Sequence, residues 1–233
     1  MTIQLLRIAL GVLILSSAAK SQIAVDRAAM TVLRTDPNTF WKDLGQSRPQ
    51  APSPESKAAV LAALPVKGEI RNLKEPARRK LSAAQEILRL HERDTVYEVK
   101  VIDVPDAFVG LHARSVILIS QNALNLLSVE ELQASIAHEA GHEYIWAQYA
   151  TAREQKDFGR LQELEMFCDI VSVVTLRRAG LDPSSLITCF EELLSYNHER
   201  FGRHPNEAHY VSPGDRKRFI HTVMRWAAGW QGE

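Results

Sequence analysis

The sequence predicts an α+β domain that is mostly helical. Three observations carry this. Apolar residues recur at helical spacing along most of the chain, a short block between Thr95 and Ser120 alternates or runs apolar as strands do, and helical signals flank that block on both sides. The 233 residues, 45% apolar and 24% charged, suffice for one good-sized domain with a real core. Lys plus Arg and Asp plus Glu both number 28, so no field directs the chain at nucleic acid. Two cysteines exclude a disulfide-rich scaffold and a cysteine-based zinc finger.

Residues 1–19 open with a basic stretch, run apolar from Ile8 to Leu15 and end in small Ser17-Ala18-Ala19. That order is the one of a secretory signal peptide, so the expected protein is exported, periplasmic or secreted. An uncleaved N-terminal anchor is the alternative, and membrane association is expected only in that case. Residues 20–56 read as a lead-in ending in the Pro/Ser-rich linker GQSRPQAPSPES, with one domain over 57–233. Ala77, Leu81, Ala84 and Leu88 share one face of a helix over Glu75–Arg93, with Pro76 in its first turn. Thr95–Asp103 reads as a strand, and Ala107–Val109 and Ser115–Ser120 as two more around Gly110. Ser128 with Glu131 forms a capping-box pattern and opens a helix whose Leu132, Ile136 and Ala140 continue one face. Leu161–Ala179 is a helix closed by Arg177-Arg178, Gly180 and Pro183, and Ser184–Asn197 is another. Ser212-Pro213-Gly214-Asp215 opens a last helix with Phe219, Val223, Trp226 and Trp230 on one face. Export would let Cys168 and Cys189 pair, and the sequence leaves both states open.

The chemistry concentrates in His138-Glu139-Ala140-Gly141-His142, an H-E-x-x-H inside the capped helix. Histidines four apart lie on one helix face, so both imidazoles reach a single ion, and Glu139 projects beside them as a base for metal-activated water. Catalytic zinc takes a third protein ligand, and Glu165 on the next helix supplies the His₂Glu set. Asp169, one turn later, is placed to take the outward N–H of a ligand histidine. A solvated acidic face is the alternative, but Phe167, Ile170 and Val171 make this helix too apolar there. His91, His112, His198 and His221 read as surface or capping residues.

VIDVPDAFVGLHARSVILISQNALNLLSVEELQASIAHEAGH and ELEMFCDIVSVVTLRRAGLDP resemble the HtpX-like and CAAX-prenyl-protease-like zinc metallopeptidases, over about residues 75 to 225. The likeness is to the small exported soluble members. It implies a gluzincin-type domain with a small sheet on the active-site helices, one zinc on His138, His142 and Glu165, Glu139 as general base, and Asp169 behind a ligand histidine. It also implies that extended substrate adds to an edge strand at Asp106, Ala107 and Phe108. The family has Asn where Asp106 stands. It also has His-Pro followed, five residues after the proline, by Arg, and here Ser212-Pro213 leads to Arg218. At His204-Pro205 the arginine position is Tyr210. With the histidine replaced by Ser212, the donor to the developing oxyanion is expected to be His209 or Arg218, a loop histidine being the easier to bring in. The expected function is a zinc endopeptidase acting on proteins or peptides, misfolded exported ones among them. The alternative is a zinc-holding, weakly active or inactive client-binding protein of the same fold.

Overall fold

The structure is a computed structural model that describes residue 30 and residues 34–64, 68–202 and 210–229. The expected signal peptide and His204, His209 and Trp230 lie outside these residues. Helix α1 (Pro37–Gln46) begins at Asp36, whose carboxylate accepts the amides of Asn38 and Thr39, both at 3.0 Å. α2 spans Pro54–Ala63. The stretch expected as a lead-in is thus partly helical, and it packs on the rest. Phe40 and Leu44 are core residues, with the Phe40 ring 6.0 Å from those of Phe167 and Trp226. Farther on, the carbonyls of Pro49 and Gln50 accept from Arg93 and Arg114 at 2.5 and 2.6 Å.

After α3 (Glu75–Leu90) come β1 (Glu98–Ile102), β2 (Val109–His112) and β3 (Val116–Ser120), in sheet order β1-β3-β2. β1 runs parallel to β3, and β2 antiparallel to it. The sequence reading broke the second strand at Gly110, the strongest local turn former. In the structure Gly110 lies inside β2, and the chain reverses at Ala113-Arg114, whose φ angles are 47° and 54°. Left-handed backbone is costly for residues with a Cβ. Arg114 stabilises it from outside, through Gln50 and through Glu143 at 3.3 Å.

The remaining helices are α4 (Gln121–Leu126), α5 (Val129–Tyr144), α6 (Trp146–Glu154), α7 (Phe158–Arg178), α8 (Ser184–Phe201) and α9 (Pro213–Ala227). The capping box forms as expected: Ser128 Oγ accepts from Glu131 N–H at 3.1 Å, and the Glu131 carboxylate from Ser128 N–H at 2.7 Å. α5 then passes between two cores. One gathers α3, the sheet and Leu132 and Ile136; the other gathers α1, α7, α8 and α9 around Met166, Ile170 and Phe219. A helix covered on both sides carries small residues where it meets a neighbour, and here the decisive one is Gly141. A Cβ on it would lie 2.9 Å from the Cys168 Cα, so only glycine lets α5 and α7 approach this closely. Ser212 caps α9, accepting from Asp215 N–H at 3.1 Å, and Phe219, Ile220, Val223 and Ala227 face inward.

One reading of a single residue changes, and the cysteines take one of the two states left open. His91 is not a surface residue: it is buried between the Tyr144 hydroxyl (2.9 Å) and Thr175 Oγ1 (3.0 Å), and burial lowers its pKa to about 3. Cys168 and Cys189 are both buried and free. No helix among the described residues is long and apolar enough to cross a membrane.

Candidate metal centre and substrate cleft

α5 presents His138 and His142 one turn apart, with ring centroids 5.1 Å from each other. Because Gly141 draws α7 close, Glu165 meets both: one carboxylate oxygen lies 3.4 Å from His138 Nε2 and the other 3.8 Å from His142 Nε2. Asp169, one turn farther along α7 and fully buried, takes the His138 Nδ1–H at 3.0 Å. That bond orients the ring and leaves Nε2 facing Glu165, where a metal would take the place of its proton. Burial opposes charge on His138, yet Asp169 and Glu165 outweigh it and raise its pKa to about 9. Burial would likewise raise Glu165, but the neighbouring His142 and His138 hold it at about 2. The pocket is therefore arranged to stabilise positive charge between two imidazoles and a carboxylate. Such a nitrogen and oxygen donor set suits zinc. Cys168 is a further donor nearby: its Sγ and donor atoms of His138 and His142 lie within 4.8 Å of one another.

Glu139 points from α5 toward the sheet and accepts the Leu111 N–H at 2.7 Å. The β2–β3 register explains this. Ser120 N–H donates to the Phe108 carbonyl, so the ladder bonds fall at residues 108, 110 and 112, and Val109 and Leu111 turn their amides to the free edge. A cleft of about 640 Å³ lies along that edge, bordered by Val109, Leu111, Glu139, His142, Tyr149 and Glu165. A second cavity of about 220 Å³, with Phe190, Leu193 and Leu194 in its wall, adjoins it. Val109, Glu139, His142, Glu165 and Tyr210 border both.

The edge expected at Asp106, Ala107 and Phe108 is closed. Asn197 takes both backbone groups of Ala107, at 3.0 and 2.8 Å, and the Phe108 amide donates to Ser120 Oγ at 3.0 Å. The open edge lies at Val109, three residues on, since the Leu111 amide is taken by Glu139 and the turn falls at Ala113 and not at Gly110. Arg218 is also displaced from the site: it is exposed and bonded to Asp215. The arginine that reaches the centre is Arg216. Its guanidinium grips both oxygens of Asp169 at 2.8 and 2.7 Å and lies 3.5 Å over the Phe190 ring. Helical periodicity is the reason, since residue 216 precedes the buried Phe219 and Ile220 by three and four positions, and residue 218 turns away. Counted back from Arg216, the family spacing puts Val211 at the proline and Tyr210 at the histidine.

Sequence reasoning missed Arg216, Tyr149 and Tyr210. The inward stripe of α9 was the signal for Arg216. Tyr149, whose ring stands 5.2 Å from His142, and Tyr210 are tyrosines beyond the motif helix that no local pattern marks. Burial and the facing Glu165 push up the Tyr149 phenol, and Glu165 and burial that of Tyr210.

The sequence model of peptidase family M48 matches residues 73–148. The matched stretch runs from α3 through the sheet and the H-E-x-x-H helix into α6, consistent with the HtpX-like gluzincin resemblance, and it supports a metallopeptidase. Glu165, Asp169, Tyr210 and Arg216 all fall beyond it. No curated protein matches the chain.

Proposed function

We propose that the protein is an exported zinc-dependent endopeptidase that hydrolyses peptide bonds in extended segments of proteins. The observation that carries this reading is the convergence of His138, His142 and Glu165 at the wall of the smaller cavity, which Glu139 and Val109 of the strand edge also border. We assign Glu165, and not Cys168, as the third ligand. Glu165 borders both cavities, whereas Cys168 is packed against Gly141 behind them, and burial with the Glu165 and Asp169 charges keeps its thiol protonated.

A zinc ion on these three residues supplies a Lewis acid for the scissile carbonyl and acidifies the attacking water. The chain's own groups do the rest. An extended peptide pairs with the Val109 N–H and C=O, which places its backbone across the mouth of the metal pocket. Glu139 takes a proton from the water as the C–O bond forms and delivers it to the amide nitrogen as the C–N bond breaks. Asp169 keeps His138 in the required tautomer, and Arg216 keeps Asp169 ionised and oriented.

The test is cleavage of a denatured protein substrate by the mature chain, with and without a chelator, beside metal analysis. Glu139→Gln should keep its zinc and its fold while turnover falls by roughly 10²-fold or more. Undiminished turnover in that variant, or cleavage that survives metal removal, would overturn the reading.

A further inference from the structure

Alternate residues of an antiparallel strand turn both backbone groups the same way, so Ala107, Val109 and Leu111 face the edge of β2 while Phe108 bonds β3. The Leu111 amide goes to Glu139. At Ala107 the Asn197 side-chain amide donates to the carbonyl at 2.8 Å and accepts the N–H at 3.0 Å. One side chain thus makes the two-bond exchange that a residue of a neighbouring strand would make. Asn197 stands where the backbone of a bound chain would continue, two residues along from the one paired with Val109. Resting on the hydrolytic reading, we propose that Asn197 is a specificity-determining residue that ends the substrate edge at Val109. The cleft then takes short peptides and chain ends in preference to the middle of a long extended chain.

The rest of the cleft agrees with such a stop. Phe190, Leu193, Leu194 and Asn197 fall at i, i+3, i+4 and i+7 of α8 and share one helix face. The first three wall the smaller cavity, which Val109 also borders, and Asn197, a turn on, clips that wall to the strand. Ala107 is 1% exposed, and no residue of 103–108 borders either cavity. The open space runs the other way, past Glu139 and His142 to Trp146 and Tyr149. A chain paired at Val109 has room along the larger cleft at one end and meets Asn197 at the other. To continue there it must bend away from the edge. Displacing Asn197 would break two hydrogen bonds at a buried residue, and the new pairing would only replace them.

The test uses peptides that share one leucine-centred core and grow residue by residue from either end. Affinity is read by fluorescence anisotropy in Glu139→Gln protein, with and without zinc, and cleavage by mass spectrometry in the parent. Growth from one end should be tolerated. Growth from the other should lower affinity about tenfold once the chain reaches two residues past the one paired with Val109, and cleavage should fall with it. Asn197→Ala, added to both proteins, should remove that length limit. Its Ala107 amide should exchange with solvent faster than in the parent until a long peptide covers it. Asn197→Ser serves the same purpose if the alanine variant does not fold. Affinity that rises with growth at both ends of the core in Glu139→Gln protein overturns the stop without any change at Asn197. So does a variant that keeps the limit, or one that loses every length equally, as a merely structural clip would. If peptides bind with the expected limit and none is cleaved, the endopeptidase reading fails alone. Protein that binds no peptide of any length overturns both.

Discussion

Arg216→Leu tests the link between α9 and the metal pocket. Arg216 makes two charged hydrogen bonds to Asp169, a carboxylate with no exposed surface. Removing one partner of a buried pair costs about 3–5 kcal/mol, because the other charge stays buried. Asp169 keeps its bond to His138, and leucine retains apolar contact with Phe190, so the lower end applies. A loss of about 3 kcal/mol in a chain of this size corresponds to a fall in Tm of about 6–12 °C. Zinc affinity should fall about tenfold as well, because an unbraced Asp169 holds His138 less firmly. The assay is calorimetric melting of the metal-free and zinc-loaded forms, with a zinc titration against a competing chelator. Pairing the change with Asp169→Asn closes a double-mutant cycle, and the double variant should lose less than the sum of the singles. A shift within about 1 °C for Arg216→Leu, or strictly additive losses, would refute the coupling.

Two further outcomes follow from the same pocket. Glu165→Ala should abolish most zinc binding while Cys168→Ala retains it, as read by metal content after gel filtration; the opposite pattern would make the thiol the third ligand. In metal-free protein the His138 pKa is raised from 6.5 to about 9, so its stabilisation is complete below about pH 6.5 and is lost as pH rises through 9. Melting temperature should therefore fall across that interval while zinc affinity rises, since the metal displaces the proton. A profile that His138→Ala leaves unaltered would show that other groups set it.

The motif helix was legible because everything it needs is local. Ser128 and Glu131 cap it through their own backbone neighbours, and a spacing of four residues places His138 and His142 on one face whatever surrounds them. Glu165 and Asp169 were legible for a similar reason, as an i, i+4 carboxylate pair in an apolar helix. The edge strand was not. Its position depends on a reversal at Ala113-Arg114 that no turn residue announces, and that is stabilised by Glu143 and by Gln50, 64 residues away in the chain. Arg216 and Arg218 look alike in sequence, and only the packing of α9 decides which enters the pocket. Tyr210 reaches the cleft by a path through Gln162 and Val211, over contacts that close only when α7 and α9 have docked. The sequence by itself therefore determined the His138–His142 pair, whose geometry one helix turn dictates, and marked the carboxylates of the helix that comes to face it. The tertiary structure alone decided which strand edge, which arginine and which tyrosine meet them, because those placements rest on contacts between residues far apart in the chain.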